Sequence, residues 1–287
     1  MKQHTLGWIN GFIGVAIFSG TLPATRMAVQ QLPPLFVTSA RACIAALLGG
    51  LLLCLLKQTR PQAAQLRSLI LVSMGVVLGF PLFTSLALQH ASSAHMIVFV
   101  GLLPLSTALF AVWRGGERPK PLFWAFALVG AISVASYALL NSDGAPWFSD
   151  VLMLAAIVVC GMGYAEGAKL SRELGGWQVI SWALLLSLPV ILPLALWSWP
   201  SPIAPVHSNA WWSLAYVSVF SMLIGFVFWY QGLAQGGTAA VGQLQLLQPF
   251  MGLGLAALLL QEHIHPSMLV VTVVAVLCVA GAKRFAH

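Results

Sequence analysis

Four side-chain amides, Gln235, Gln243, Gln245 and Gln248, stand in the stretch GLAQGGTAAVGQLQLLQP (residues 232–249) of a chain that is 60% hydrophobic and only 7% charged. An amide donates and accepts hydrogen bonds without carrying charge. In apolar surroundings it either ties one helix to another, at a worth of ~0.6–2 kcal/mol, or faces a polar ligand. Thr238, Gly242, Gln245, Pro249 and Gly252 recur at helical spacing along one stripe, and Gln248 adjoins it. Small residues on such a stripe admit close approach. Pro249 lacks an N–H and so releases a backbone carbonyl that a ligand can meet. Gln245 and Gln248 are therefore candidate ligand contacts.

Other residues able to do chemistry are few. Arg41 sits deep in an apolar run, where a charge is by default a functional hypothesis. It either grips a carboxylate or serves backbone carbonyls. Arg26 lies nearer the end of its run and is expected to snorkel to the surface. Among the acids only Glu166 falls inside a run, where pairing with Lys169 one turn away accounts for it. Asp150 or Ser149 is placed to cap a helix. His90, His95, His207, His263 and His265 read as solvated loop residues. The QEHIH spacing is a weak metal signature, so neither a metal nor a cofactor is expected. Tyr164, in GMGY, is placed to stack on a ligand or to bond a neighbour. Met96 and Phe99, with Ser93 and Val100, would form an apolar wall opposite the glutamines, and Thr21 is a further candidate contact. No phosphate-binding glycine loop, paired carboxylates or nucleophile–base set is visible.

The elements that position these residues follow from composition. A mean hydropathy of +0.93 over 287 residues, with 13 basic and 6 acidic side chains, excludes an ordinary soluble domain. Runs of about 20 apolar residues are each long enough to cross ~30 Å of hydrocarbon as a helix. Within lipid a helix satisfies its own backbone, and no alternating stretches of the barrel type are present. Ten spans are expected, at roughly 6–27, 33–56, 67–88, 92–112, 120–140, 149–170, 177–198, 211–232, 237–260 and 266–283. The first is read as a span and not as a cleaved signal peptide. Cys43, Cys54, Cys160 and Cys278 all fall within spans and read as small buried residues.

With the N-terminus inside, Lys2, Lys57, Arg60, Arg67, Arg114, Arg118, Lys120, Lys169, Arg172, Lys283 and Arg284 all gather at cytoplasmic ends, and the outer loops hold no lysine or arginine. The net charge of +7 is thus topology and not a nucleic-acid site, and both termini are expected in the cytoplasm. Trp8, Trp113, Trp124, Trp177 and Trp229 fall near one set of span ends, and Trp147, Trp197, Trp199, Trp211 and Trp212 near the other, as interfacial belts require. Glycines spaced by four, Gly7/Gly11, Gly75/Gly79 and Gly232/Gly236, mark close helix contacts. Gly79 with Pro81 makes a hinge for gating, and Pro104 and Pro249 predict kinks.

A repeat runs through the chain. An offset of 145 residues brings Ser93-Ala94 onto Thr238-Ala239, Pro104 onto Pro249, Glu117 onto Glu262 and Pro121 onto Pro266. An offset of 143 brings Gly20 onto Gly163 and Arg26 onto Lys169. Five spans per half would insert the halves in opposite senses, an architecture of secondary transporters in which a substrate site lies between the repeats.

On the blocks LLPLSTALFAVWRGGERPKP and LLQPFMGLGLAALLLQEHIHP, joined through NSDGAPWFSD, the chain resembles the ten-span, EamA-type branch of the drug/metabolite transporter superfamily. The resemblance implies export of small metabolites across a bacterial inner membrane, with amino acids, aromatic ones included, among the substrate classes. The first span lacks the deep carboxylate carried by proton-coupled drug extruders of the superfamily's four-helix branch. That disfavours cationic cargo and antiport through a buried acid, and favours facilitated diffusion or coupling through a histidine.

The expectation is an all-α polytopic membrane protein with residues 1–143 and 144–287 as two inverted five-helix repeats of one transport domain. Its central site would lie among the first, third, fourth, sixth, eighth and ninth spans. Gln245 and Gln248 would supply hydrogen bonds, Phe99 and Tyr164 an apolar shelf, and Arg41 a carboxylate clamp. The expected partners are a small-molecule substrate (an amino acid or related metabolite) and the lipid bilayer, with no nucleic acid and with the chain as a monomer. Two other classes compete. An intramembrane metalloenzyme using the outer His/Glu cluster would lose activity to chelators, and a scaffold without cargo would pass no solute in liposomes.

Overall fold

A computed structural model describes residues 2–116, 118–140, 146–200, 206–262 and 267–285. Eight helices are long and apolar enough to cross a membrane: α1 (His4–Val29), α2 (Pro34–Leu55), α3 (Ala63–His90), α4 (Ser93–Arg114), α6 (Trp147–Leu174), α7 (Gly176–Trp197), α8 (Ser208–Gly236) and α9 (Thr238–Leu260). Two more helices, α5 (Pro121–Leu140) and α10 (Ser267–Arg284), pack on each other at the edge of the bundle. No strand occurs among the described residues. Each of these helices carries its own backbone bonds, as hydrocarbon demands.

Packing joins the two halves of the sequence. Helix α1 lies along α8, α3 and α4 along α6, α2 along α7, and α5 along α10. The close pairs rest on the glycines the sequence singles out. A Cβ added at Gly232 would stand 2.6 Å from Gly11 N, and one at Gly7 would stand 2.6 Å from Gly236 N. Backbones approach this closely only where no side chain intervenes. Gly75 of α3 packs in the same way against Gly163 of α6.

Departures from regular helix recur at the 145-residue offset. Wide π-type turns occupy Ser73–Gly79 in α3 and Val217–Ile224 in α8. Tight 3-10 turns occupy Val100–Leu102 in α4 and Gln243–Leu247 in α9. Left-handed residues end α4 and α9 at Gly116 (φ +67°) and Gln261 (φ +55°). The tight turns have a plain cause. Pro104 has no N–H for the Val100 carbonyl, which accepts from Leu103 N instead. Likewise the Gln245 carbonyl accepts from Gln248 N. The expectation that Pro249 leaves a carbonyl for a ligand is thereby corrected, because the 3-10 bond takes it up. In α1 the helix breaks at Gly20, three residues before Pro23.

The aromatic belts need one correction. Trp113, Trp147, Trp197, Trp199 and Trp212 are exposed at helix ends, but Trp229 is fully buried and packs against Tyr164 at 5.4 Å between ring centroids. It is core, not anchor.

Candidate functional site

Near the breaks in α1, α3 and α8 the helices enclose a cavity lined by Phe18, Thr21 and Leu22 (α1), Arg41 (α2), Val76 and Phe80 (α3), Tyr164 (α6), Ser221 and Phe226 (α8) and Gln248 (α9). The lining is chemically divided. Arg41, 1% exposed, donates from Nη2 to Ser221 Oγ at 3.1 Å, and Ser221 Oγ shares a hydrogen bond of 2.9 Å with Thr21 Oγ1. Gln248 Nε2 donates to the Phe18 carbonyl at 3.4 Å. The aromatic lining forms a cluster: Phe18 stands 5.0 Å from Phe226 and 6.4 Å from Tyr164 between ring centroids, and Tyr164 stands 5.9 Å from Phe226. Three donors or acceptors of these lining residues have no protein partner: Arg41 Nε, Arg41 Nη1 and Gln248 Oε1. Buried polar groups in native proteins are almost always satisfied, so this concentration asks for an explanation.

The room left is small. Space for the centre of a water molecule amounts to about 20 Å³ in this cavity and about 10 Å³ in the neighbouring void bounded by Phe18, Ser19, Leu22, Ile97, Val100, Gln248, Pro249 and Gly252. Each accommodates about one water. Helix movement must enlarge the cavity before it holds a metabolite.

Hydrogen-bond networks brace the bundle at both ends. At the end that carries most of the basic side chains, Glu166, 1% exposed, accepts from Arg114 Nε at 2.9 Å and from Ser68 Oγ at 2.6 Å, joining α6, α4 and α3. Asn10 Nδ2 donates to Gln235 Oε1 at 3.0 Å between α1 and α8. At the other end His95 Nε2 meets Asp150 Oδ1 at 2.8 Å, again between α4 and α6. There the Glu262 carboxylate accepts from Ser93 N at 3.3 Å, from Ala94 N at 2.9 Å and from Ser93 Oγ at 3.0 Å. It thereby caps the orphan amides that open α4. Arg26 Nη1 donates to the Leu88 carbonyl at the end of α3.

Several sequence expectations meet different partners here. Glu166 pairs with Arg114, so Lys169 is not needed to explain it. His95 is buried against Asp150 and is not a solvated loop residue. Asp150 serves His95 and makes no side-chain cap, since the N-cap of α6 is Pro146. Arg26 is tied to a backbone carbonyl and does not snorkel freely. Glu117, Asp143, His263 and His265 lie outside the described residues. Among the described residues no group of three or more His, Cys, Asp and Glu gathers to hold a metal.

Of the candidate contacts, Arg41, Thr21, Tyr164 and Gln248 converge on the cavity. Gln245 is fully buried in the 3-10 turn of α9, with neither amide atom bonded, and lies outside the cavity lining. Met96 and Phe99 are buried in the core; the residues α4 turns to α9 are Ile97 and Val100. Gly79 closes the wide turn of α3, Pro81 begins the helix beyond it, and Pro81 O accepts from Thr38 Oγ1 at 3.2 Å. Pro104 and Pro249 each follow a tight turn. Sequence reasoning did not single out Phe18, Val76, Phe80, Ser221 or Phe226. The repeat held a signal for some of them: Val76 and Ser221 are counterparts at an offset of 145, Thr21 and Tyr164 at 143, and both pairs line the cavity.

Comparison with known proteins agrees with this architecture. Residues 5–139 and 147–282 each match the EamA-like transporter family. The chain is 60% identical over 286 residues to the "Uncharacterized transporter YdeK" of Bacillus subtilis (strain 168), spanning 100% of both. It is 27% identical over 173 residues to the "S-adenosylmethionine/S-adenosylhomocysteine transporter" of Chlamydia trachomatis serovar L2, spanning 56% of this chain and 52% of that one. A solved crystal structure at 19% identity shares the fold with a TM-score of 0.75, over 98% of this chain and 97% of its own. With its multi-pass helical bundle and a family match across nearly its whole length, the chain belongs to the EamA-like transporter family.

Proposed function

We propose that this protein exports amino acids and related metabolites, aromatic and hydrophobic ones included, by alternating access through the central cavity. The observation that carries the reading is the cavity itself. It lies where α1, α2 and α3 meet α6, α8 and α9, and it sets unsatisfied polar groups of Arg41 and Gln248 beside the ring faces of Phe18, Tyr164 and Phe226. A few convergent polar groups against an apolar wall are what a ligand with a polar head and an apolar body requires. The Chlamydia relative named for S-adenosylmethionine and S-adenosylhomocysteine supports this class, because both compounds end in an amino-acid head group.

The mechanism rests on two inverted five-helix repeats, residues 1–143 and 144–287, with α5 and α10 completing ten spans. The family matches each half separately, and the wide turns, tight turns and left-handed caps recur at one offset. Braced at both ends and nearly filled, the bundle corresponds to an occluded state. Breaking the Glu166 network opens one side, and breaking the His95–Asp150 and Glu262 contacts opens the other. Gly79, Pro81, Pro104 and Pro249 sit where the helices depart from regular geometry and serve as hinges. Gln245 joins the path in one of the opened states. The clustering of Lys and Arg at one end supports a bacterial inner-membrane orientation with both termini in the cytoplasm. Export is tested in cells fed a phenylalanine dipeptide, which is cleaved inside. Overproduction of the protein should speed release of free phenylalanine; an unchanged rate would remove the amino-acid reading.

A further inference from the structure

Arg41 narrows the cargo beyond this reading, on which it rests. We infer that the cavity recognises its cargo by a carboxylate gripped on Arg41 and makes no demand for an ammonium group, so that aromatic and aliphatic monocarboxylates bind as well as amino acids do.

A guanidinium offers five N–H donors in a planar fork whose geometry matches a carboxylate. In Arg41 only Nη2 has an acceptor, the neutral Ser221 hydroxyl at 3.1 Å, and that hydroxyl is already shared with Thr21. Nε and Nη1 are buried and bonded to nothing. The ion pairs His95–Asp150 and Arg114–Glu166 do not involve Arg41. Among the described residues, no carboxylate lines the cavity. A fixed positive charge is thus held in a low-dielectric interior without its counter-charge, a costly arrangement that a structural role does not explain.

Carboxylate and ammonium fare differently in this setting. A carboxylate brings both the missing charge and the missing acceptors. An ammonium brings three donors, for which the lining offers one unsatisfied acceptor, the neutral Gln248 Oε1, and a repelling guanidinium. An amino acid binds through its carboxylate and sets its ammonium toward Gln248. A monocarboxylate loses little by lacking that group, whereas a free amine loses the interaction that holds the cargo. Phe18, Phe80, Tyr164 and Phe226 receive the apolar body in either case.

The test is thermal unfolding of the full-length protein in detergent with four probes that share one aromatic body: phenylalanine, 3-phenylpropionate, phenylalaninamide and phenethylamine. Phenylalanine and 3-phenylpropionate should raise Tm, and the amide and the amine should not. In Arg41→Met the two acids should bind roughly 10- to 100-fold more weakly, as expected for the loss of charge-assisted hydrogen bonds. Arg41→Lys should keep part of the effect, which guards against misreading a folding defect. Protection by phenylalaninamide equal to that by phenylalanine, undiminished protection in Arg41→Met, or protection by no acid at all overturns the inference. Equal protection by chloride or inorganic phosphate would make Arg41 a simple anion site and overturns it too. The two readings separate cleanly. If 3-phenylpropionate protects through Arg41 while phenylalanine neither protects nor is carried, the carboxylate site stands and amino-acid export falls. If phenylalanine is carried unchanged by Arg41→Met, export stands and the carboxylate site falls.

Discussion

Arg41→Met should make the protein more stable and less active at once. A buried ion carries an effective desolvation penalty of several kcal/mol after relaxation and water penetration. The one compensation visible for Arg41 is its bond to Ser221 Oγ, worth about 1.5–3 kcal/mol as a hydrogen bond to a charged group. Removing it strands nothing, because Ser221 keeps its bond to Thr21 at 2.9 Å. Methionine replaces the aliphatic stem with a flexible apolar chain of similar reach, so the loss of packing is small. The balance favours the variant by an amount on the order of 1–4 kcal/mol, the range found when buried ionic groups are replaced by apolar ones. At roughly 2–4 °C per kcal/mol for chains approaching this length, tryptophan-fluorescence melting in detergent should show Tm rising by several degrees. Substrate flux by the same variant in liposomes should fall to the background of empty vesicles. A fall in Tm of several degrees would refute the reasoning, since it would mean that Nε and Nη1 have partners and that Arg41 holds the fold together.

Other outcomes follow from the same geometry. Gly232→Ala forces a Cβ to within 2.6 Å of Gly11 N, and the overpacking should cost about 1–3 kcal/mol, read as a lower Tm. Glu166→Gln removes the charge that holds Arg114 and Ser68 at 2.9 and 2.6 Å; the loss, about 1–3 kcal/mol per charge-assisted bond, should lower Tm and loosen the basic end, seen as faster hydrogen exchange there. Gln245→Leu replaces an amide with no bonded atoms, so it should leave Tm unchanged or raised while slowing transport; unimpaired transport would return Gln245 to packing.

Much of this was legible in the sequence, for identifiable reasons. Apolar runs fix the helices because hydrocarbon permits few alternatives. Glycines spaced by four mark the α1–α8 crossing because backbone contact leaves room for nothing larger. Arg41, Thr21, Tyr164 and Gln248 stood out because polar or aromatic residues in such runs need a reason to be there. What escaped were choices of face and of long-range partner. Val100 was expected on the wall of α4 that faces α9, together with Met96 and Phe99; the void between the two helices is bounded instead by Ile97 and Val100, because helical spacing alone does not say which neighbouring face meets α9. Trp229 lies near the end of an expected span, and one-dimensional position does not reveal that it faces Phe18 and Tyr164. His95 finds Asp150 and Glu166 finds Arg114 across more than fifty residues, pairings that local periodicity does not encode. Arg41 was noticed, but α2 was not expected to line the site, because nothing local indicates which helices meet.

The proposal that this bundle carries amino acids through its middle can be tested on the purified protein. The most direct measurement is uptake of a panel of labelled amino acids into liposomes holding the purified protein, with and without a pH gradient. Phenylalanine and other apolar amino acids should enter faster than into empty liposomes, without need of the gradient, and Arg41→Met should abolish the difference. Entry of every amino acid at the rate of empty liposomes would contradict the proposal.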